Sequence, residues 1–252
     1  MSENALVLDG IGKRYGSVVA VENVSLAVRR GTRHAVIGPN GAGKSTLFAL
    51  MAGTIRPSSG RVELLGEDVT KLSDHHRARK GLAKTMQRSS VFGSMTLREN
   101  VLLGAERRHG RPARVVGGHS GKAVEAAMAA LDQVGLLERA GAQASELSHG
   151  ERKQLEVALA LAVDPAVLLF DEPTAGMSAA ETDRFVEVVQ GLSRDITVLI
   201  IEHDLDVVFT LADQVSVLHL GALIADGRPD EIRSSELVQR IYLGDHTEVI
   251  GE

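Results

Sequence analysis

The sequence has no cysteine, no block of basic residues and no long apolar run. Without cysteine, neither disulfide bonds nor thiolate metal sites can form, and a reducing compartment suits the chain. The formal net charge is −5, which argues against a general nucleic-acid binder. No apolar run reaches the length that spans a membrane, and residues 1–4 lack the basic and apolar regions of a signal peptide. We therefore expect the chain to be cytosolic.

The most informative stretch is a complete phosphate-loop motif, G-x-x-x-x-G-K-[ST], at residues 38–46. In this motif the glycines turn backbone N–H groups toward an anion, Lys44 reaches the β- and γ-phosphates, and the Ser45 hydroxyl binds Mg²⁺. A buried strand is expected at 34–37 and a helix at 47–52, the context that a real phosphate loop needs. The sequence therefore predicts a protein that binds a nucleoside triphosphate. The motif consists of Gly38, Pro39, Asn40, Gly41, Ala42, Gly43, Lys44, Ser45 and Thr46.

Two adjacent carboxylates, Asp171 and Glu172, follow a continuous apolar run at 166–170. Such a run is typical of a parallel strand buried on both faces. At its carboxyl end, Asp171 would hold Mg²⁺ through the water shell of the ion, and Glu172 would polarise the attacking water. The alternative is that these acids only end the strand. Beside a phosphate loop, the catalytic interpretation is favoured.

Two further motifs each allow two interpretations. The stretch Leu147-Ser148-His149-Gly150-Glu151 opens a predicted helix that runs to about residue 163. There, Ser148 and Gly150 either bind an anion or form an ordinary helix cap. His203 follows a predicted apolar strand at 197–201. Its neutral imidazole either hydrogen-bonds the γ-phosphate and the catalytic carboxylate or has a structural role.

Tyr15, Gln87 and a central loop carry weaker signals. Tyr15 lies shortly before the phosphate loop and either stacks on a base or is an ordinary turn tyrosine. Gln87 ends a strand predicted at 83–87 and either reaches the metal or the attacking water, or lies on the surface. Residues 107–121 are rich in Arg, Gly and His, and predict a mobile loop that is either solvated or meets lipid headgroups.

The remaining pattern alternates strands with helices. Capping boxes at Thr96/Glu99 and Ser178/Glu181 predict two helix starts, the second for a helix that reaches about residue 192. A closing helix is expected from Pro229. Further strands are predicted at 5–8, 20–28, 61–65, 215–219 and 223–225, and further helices at 74–79 and 122–134.

Taken together, these motifs resemble the ATP-binding subunit of an ABC transporter. The phosphate loop, Gln87, the stretch 147–151, the strand that ends at Glu172, and His203 fall in the family's order across nearly the whole chain. The resemblance implies an α/β P-loop NTPase (RecA-like) core with an N-terminal antiparallel β subdomain and an inserted α-helical subdomain. It also implies that residues 1–252 form a single ATPase domain, with the helical subdomain at about 88–160.

The resemblance assigns roles to the weaker motifs. Tyr15 would stack on adenine, and Gln87 would sense the transmembrane partner. Ser148 and Gly150 would cap the γ-phosphate of an ATP held by a second ATPase subunit, identical or paralogous, in a head-to-tail dimer. The implied cofactors are ATP and Mg²⁺. The residues expected to hold the metal ion are Ser45, Gln87 and Asp171.

The implied partners are transmembrane permease subunits and, indirectly, a periplasmic or extracellular solute-binding protein. The chain would then lie at the cytoplasmic face of the membrane.

Within the family, the residues at 147–151, 172–177, 202–204 and 241–244 look like the branch that takes up branched-chain or hydrophobic amino acids, urea or amides. ATPases of lipopolysaccharide export are the nearest competitor. The chain departs from the family pattern at His149 and Glu151, where glycine and glutamine are usual, and at Ser178, where aspartate is usual. We expect binding to survive these changes, whereas the uncharged Ser178 puts cross-talk between the two ATP sites in doubt.

Two hypotheses come from other classes of protein. A P-loop metabolite kinase would need a phosphate-acceptor site, and it would leave the 147–151 motif unexplained. A soluble ABC ATPase that acts on DNA or ribosomes would be expected to carry a long coiled coil or two cassettes in one chain. This sequence has neither feature.

Overall fold

The computed structural model describes residues 3–85, 91–109 and 119–244 as an α/β protein. Its strands are β1 (Asn4–Tyr15), β2 (Val18–Arg29), β3 (Arg33–Ile37), β4 (Ser59–Leu64), β5 (Glu67–Asp68), β6 (Leu82–Lys84), β7 (Val167–Asp171), β8 (Thr197–Ile201), β9 (Gln214–His219) and β10 (Ala222–Gly227). Its helices are α1 (Lys44–Ala52), α2 (Asp74–Arg79), α3 (Leu97–His109), α4 (Gly121–Gln133), α5 (His149–Leu161), α6 (Ala179–Gly191), α7 (Leu205–Leu211), α8 (Pro229–Ser234) and α9 (Glu236–Gly244).

The strands form two sheets. An antiparallel sheet has the order β2-β1-β4-β5, and a mixed sheet has the order β10-β9-β3-β8-β7-β6. In the mixed sheet only β10 runs antiparallel to its neighbour, and the other pairs are parallel. The carboxyl ends of β3, β8 and β7 therefore lie side by side at one edge, which is where parallel sheets place their ligands.

The central strands are buried on both faces, as their apolar runs predict. In β7, Val167 and Leu169 pack into one hydrophobic cluster, and Leu168 and Phe170 pack into another on the opposite side. The same alternation holds along β8. Because strand side chains alternate in direction, a continuous apolar run can be buried only between two covered faces.

The helices between β6 and β7 pack on one of these faces. Leu97 and Val101 of α3, Leu131 of α4 and Leu155 of α5 share a buried cluster with Phe170 of β7. The start of α3 is the predicted capping box, in which Glu99 Oε2 accepts from Thr96 N at 2.8 Å and Thr96 Oγ1 accepts from Glu99 N at 3.2 Å. The packing fixes the N-terminus of α5 relative to the central sheet.

Several predicted boundaries are wrong. Strand β1 was expected to end at residue 8, but pairing with β2 continues to Tyr15 across a register shift between Leu8 and Ile11. Gly10, at φ +58°, forms the irregularity, so this glycine bends the strand without ending it. Helix α1 begins inside the phosphate loop, at Lys44. The closing helix is divided into α8 and α9 at Ser235.

A fully buried arginine, Arg77, holds the carboxyl end of α1. Its Nη1 donates to the carbonyls of Leu50 and Met51 at 2.6 and 2.8 Å, and its Nε donates to Leu72 O at 3.2 Å. The last carbonyls of a helix lack intrahelical partners and carry the negative end of its dipole. Burial lowers the pKa of Arg77 to about 10, so the guanidinium stays charged at neutral pH. The helix that follows the phosphate loop is thus anchored from α2.

Replacing Arg77 with leucine should lower the free energy of unfolding by about 3 kcal/mol, because several buried carbonyls lose a charged donor. Chemical denaturation of the two proteins measures this difference. Arg79→Leu is the matched control, since Arg79 lies on the same helix but is exposed. A loss below about 1 kcal/mol for Arg77→Leu would contradict the anchoring role.

Candidate functional site

The phosphate loop connects β3 to α1 and depends on close backbone contacts. A Cβ atom on Gly38 would lie 2.1 Å from Leu218 O, and one on Gly43, at φ +99°, would lie 2.4 Å from Ala20 O. Both distances are too short for any other residue. The glycines therefore let the loop pass between β2 and β9, and the loop leads directly into the N-terminus of α1. The first N–H groups of a helix have no intrahelical acceptor, so an anion can bind them.

Lys44 is the buried cation of this loop. Its Nζ donates to the carbonyls of Gly38 and Pro39 at 2.6 and 3.0 Å. Burial lowers the pKa of Lys44, and the nearby carboxylates of Glu172, Asp171 and Glu202 raise it. The ammonium group thus lies within the field of three acids that come from β7 and β8. Lys44, Asp171 and Glu172, to which the sequence assigns nucleotide, metal and water, thus interact electrostatically, and their roles stay predictions.

Glu172 occupies an unusual backbone conformation directly after β7. Its φ is +46°, the left-handed region that residues other than glycine seldom enter. Its N–H donates to Ile201 O of β8 at 2.8 Å, and its carbonyl accepts from Ala175 N at 3.2 Å. Strained backbone that the surrounding structure holds in place is often found at functional sites. Both Asp171 and Glu172 are partly buried.

Glu202, to which the sequence analysis gave no role, links the loops that follow β7 and β8. It is fully buried, and its Oε1 accepts from Thr174 N at 3.0 Å and from Thr174 Oγ1. Its Oε2 accepts from His203 N at 2.9 Å. The sequence signal was available: an acid directly after a continuous apolar strand, as at Asp171. Glu202 thereby holds the segment after Glu172 against the segment that contains His203.

His203 lies at the same sheet edge with an exposed imidazole. Its Nδ1 is 3.5 Å from Glu202 Oε2, and 57% of its side chain is exposed. Strand β8, which leads to His203, lies between β3 and β7, so the phosphate loop, Asp171-Glu172 and Glu202-His203 follow three adjacent parallel strands. This adjacency is the geometric basis of the candidate site.

Ser148 and Gly150, at the N-terminus of α5, lie apart from this group. Ser148 is the N-cap of α5 and forms a capping box with Glu151. In the described part of the chain, the hydrogen bonds of Ser148 and Gly150 run within α5 or to Glu181 of α6, rather than to the phosphate loop. The helix cap is therefore present, and the binding of an anionic ligand by Ser148 and Gly150 stays a prediction.

The ABC transporter family model matches residues 21–175, which contain the phosphate loop, Ser148, Gly150 and Glu172. The chain belongs to the ABC transporter family. A second model, described as branched-chain amino acid ATP-binding cassette transporter, matches residues 222–248.

Two transport ATP-binding proteins are similar to almost the whole chain. The high-affinity branched-chain amino acid transport ATP-binding protein BraF of Pseudomonas aeruginosa is 36% identical over 255 residues, which cover 97% of this chain and 100% of BraF. The corresponding protein LivG of Salmonella typhimurium is 35% identical over 259 residues, with 97% and 100% covered. The predicted resemblance is confirmed, and the chain is an ATP-binding, ATP-hydrolysing subunit of its family.

Solved structures agree with the fold. The ADP conformation of an ATP-binding cassette of an ABC transporter superposes with a TM-score of 0.86 at 31% identity, covering 96% of this chain and 100% of that one. A nucleotide-free cassette gives a TM-score of 0.84, also at 31% identity, covering 99% and 100%. The prediction of an α/β P-loop NTPase fold is therefore confirmed.

Of the two weakest predicted site residues, Tyr15 and Gln87, the structure describes only Tyr15. Tyr15 ends β1, half of its surface is exposed, and Lys13 Nζ lies 5.1 Å from its ring centroid. The ring is therefore accessible for stacking, and the adenine role stays a prediction. Gln87 lies outside the described residues, as does most of the predicted loop at 107–121.

Replacing Glu202 with glutamine should lower the kcat of ATP hydrolysis by about tenfold to a hundredfold while the KM for ATP changes little. The reason is that small displacements of positioned groups have large effects on the chemical step. Steady-state kinetics measure the two parameters. The control is Asp204→Asn, because Asp204 is an exposed neighbour that caps α7 through Asp206 N and Val207 N. Equal losses in both variants would contradict a specific role for Glu202.

Proposed function

We propose that this ATPase powers the uptake of a branched-chain or other hydrophobic amino acid, or a related amide, through separate membrane subunits. The observation that carries the proposal is the match over 97% of the chain to proteins named for high-affinity branched-chain amino acid transport. The match of residues 222–248 to a model of the same name adds support from a part of the chain outside the nucleotide site. An export ATPase remains the competing function, and the uptake experiment below distinguishes the two.

In the proposed site, the phosphate loop and Lys44 bind the triphosphate. The loop, from Gly38 to Thr46, supplies N–H groups, and the Lys44 ammonium moves from the loop carbonyls to the β- and γ-phosphates. The exposed Tyr15 ring stacks on the adenine. This assignment is supported by the tight glycine contacts and by the three carboxylates around Lys44.

The side chains at the sheet edge fit a magnesium ion that is bound mainly through nucleotide and water. Among the described residues no cluster of His, Asp and Glu forms a complete metal cage. Magnesium in such sites uses one or two protein ligands plus phosphates and water, so the Ser45 hydroxyl and the Asp171 carboxylate suffice, with Gln87 as a further proposed ligand. The ion would neutralise charge on the phosphates.

Hydrolysis is assigned to the partly buried carboxylate of Glu172. It orients and polarises the water that attacks the γ-phosphate, while His203 donates a hydrogen bond to the same phosphate. The left-handed backbone at Glu172 and the buried Glu202 support this arrangement by holding both segments at one edge. Gln87 is the third proposed catalytic residue.

The proposed active form is a head-to-tail pair of ATPase subunits. Ser148 and Gly150 make no hydrogen bond to their own phosphate loop in the described chain, and the Ser148 hydroxyl and the Gly150 N–H at the N-terminus of α5 suit a γ-phosphate held by another subunit. We propose further that residues 1–252 form one ATPase domain, with the helices at about 88–160 as a subdomain.

The proposed permease subunits dock at a groove beside this helical region. Among the described residues, none of the helices has the length and apolar content that a membrane span requires. The proposal assigns the transport path to the permease subunits. A cavity of about 440 Å³ lies between α2, β6, α3 and α5, and the exposed side chains of Phe92 and Leu103 line it. The subunit would then work at the cytoplasmic face, with a solute-binding protein on the far side of the membrane.

Two single variants separate nucleotide binding from hydrolysis. Lys44→Ala should abolish ATP binding, because the loop loses its ammonium group. Glu172→Gln should bind ATP normally and hydrolyse it at least about a hundredfold more slowly, because the general base is lost. Equilibrium binding of a labelled nucleotide and phosphate release measure these effects, with the exposed Lys80→Ala as a control. Tight binding by the first variant, or near-normal turnover by the second, would overturn the assignments.

Deleting the gene should lower the accumulation of labelled leucine, or of urea or a short amide, while lipid export is unchanged. Wild-type protein should restore uptake, and Glu172→Gln should not, because closure without hydrolysis cannot complete a transport cycle. Normal uptake of all these solutes together with envelope lipid accumulating inside the cell would favour the export function instead.

A further inference from the structure

One carboxylate, that of Glu181, bridges the N-termini of α6 and α5. Its Oε2 accepts from Ser178 N and Ser178 Oγ at 3.0 and 2.9 Å, which completes the capping box of α6. Its Oε1 accepts from Gly150 N at 2.8 Å and from Ser148 Oγ at 3.3 Å. We call this second pair of bonds the Glu181 clasp. The clasp joins Ser148 and Gly150 to α6. The family signature places these two residues toward nucleotide, and α6 follows the loop that carries Glu172.

The capping box of α6 needs only the bonds between Ser178 and Glu181, so the clasp is an additional contact. In the capping box of α8, Glu231 uses one oxygen on Arg228 N and turns the other to the Arg228 side chain. Glu181, in contrast, uses its second oxygen on another helix. The approach depends on Gly150, because a Cβ atom there would lie 2.6 Å from Glu181 Cγ. The Glu181 clasp is thus a contact between two helices that the capping of α6 does not require.

The clasp uses the donors that the proposed function assigns to the γ-phosphate. A backbone N–H and a serine hydroxyl each offer one hydrogen. Once Gly150 N and Ser148 Oγ donate to Glu181, they cannot donate fully to a phosphate. Hydrogen bonds from two backbone N–H groups, those of Ser178 and Gly150, lower the pKa of Glu181 to about 2, so the competitor is anionic at neutral pH. A carboxylate of the same chain therefore accepts from the two donors that the proposed function assigns to a phosphate oxygen.

A second contact ties the same segment to the catalytic loop. His149 Nε2 lies 3.3 Å from Ala175 O, and Ala175 N donates to Glu172 O. The segment 148–150 is therefore connected to the chain after Glu172 at two points, through His149 and through Glu181. Movement of this segment would be transmitted to the loop that carries the proposed general base.

We propose that Glu181 is a positioning residue that withholds Ser148 and Gly150 from nucleotide until the γ-phosphate on the partner subunit displaces it. Release of the clasp frees the loop between Glu172 and α6, so filling of one ATP site alters the catalytic loop of the other. This inference rests on the proposed function, in which Ser148 and Gly150 complete a site across the subunit interface.

The test measures the ATP concentration for half-maximal pairing of ATPase subunits in the Glu172→Gln background. Full-length chains are used, alone or with the second ATPase subunit that co-purifies, and sedimentation reports the pair. Glu181→Asp keeps the charge but shortens the side chain, so the carboxylate loses its contact with Gly150 and Ser148. The ATP concentration for half-maximal pairing, the midpoint, should then fall about tenfold. Glu181→Gln keeps a weaker neutral contact and should lower it about threefold. Tighter pairing is a gain that a damaged fold does not produce.

Two controls isolate the clasp. Ser178→Ala removes the cap of α6 but leaves Glu181 in reach of Gly150, and Glu231→Gln removes the same charge from the capping box of α8. Neither should lower the midpoint. If Ser178→Ala lowers it as much as Glu181→Asp, Glu181 acts only as a helix cap and the inference is wrong.

The outcomes distinguish the inference from the proposed function. If the Glu172→Gln protein pairs in ATP but the Glu181 variants share its midpoint, the inference is overturned and the proposed function stands. If no ATP-dependent pair forms with either partner, the proposed head-to-tail function itself fails.

Discussion

The site depends on one buried ammonium group that must stay charged. Burial alone would favour the neutral form of Lys44, and the carboxylates of Glu172, Asp171 and Glu202 oppose this effect. Those acids reach the lysine only because β8 lies next to β3 and β7 lies next to β8 in the parallel part of the sheet. The lysine in turn holds the loop carbonyls of Gly38 and Pro39. The order of the strands, the charge balance around Lys44 and the conformation of the phosphate loop therefore depend on one another.

The surroundings of these acids differ, and the tasks that we propose for them differ accordingly. Glu202 is fully buried and satisfied by N–H and hydroxyl donors, so it is suited to hold two loops together. Glu172 is partly buried on a strained backbone, which suits a group that must meet water and phosphate. A carboxylate with its lone pairs already engaged is a poor base, whereas one near the surface remains available.

The segment 148–150 is connected to the loop after Glu172 by side-chain contacts rather than through the sheet. His149 contacts Ala175 O, and the Glu181 clasp holds Ser148 and Gly150. Of the departures from the usual family pattern, His149 lies on the first of these connections, and Ser178 donates to the other oxygen of Glu181. A carboxylate is present three residues later, at Glu181, and the effect of the uncharged Ser178 on cross-talk between the ATP sites stays a prediction.

The sequence by itself determined the local elements and the family. The phosphate loop, the apolar runs of β7 and β8 and the capping boxes at Thr96 and Ser178 are short-range patterns, so they were predictable. Contacts between distant segments were not, because neither spacing nor periodicity encodes which strands become neighbours. The tertiary structure alone decided that Glu202 joins two loops and that Glu181 reaches Gly150. The first depends on the burial of Glu202, and the second depends on the close approach of two helix N-termini, which only the folded chain brings about.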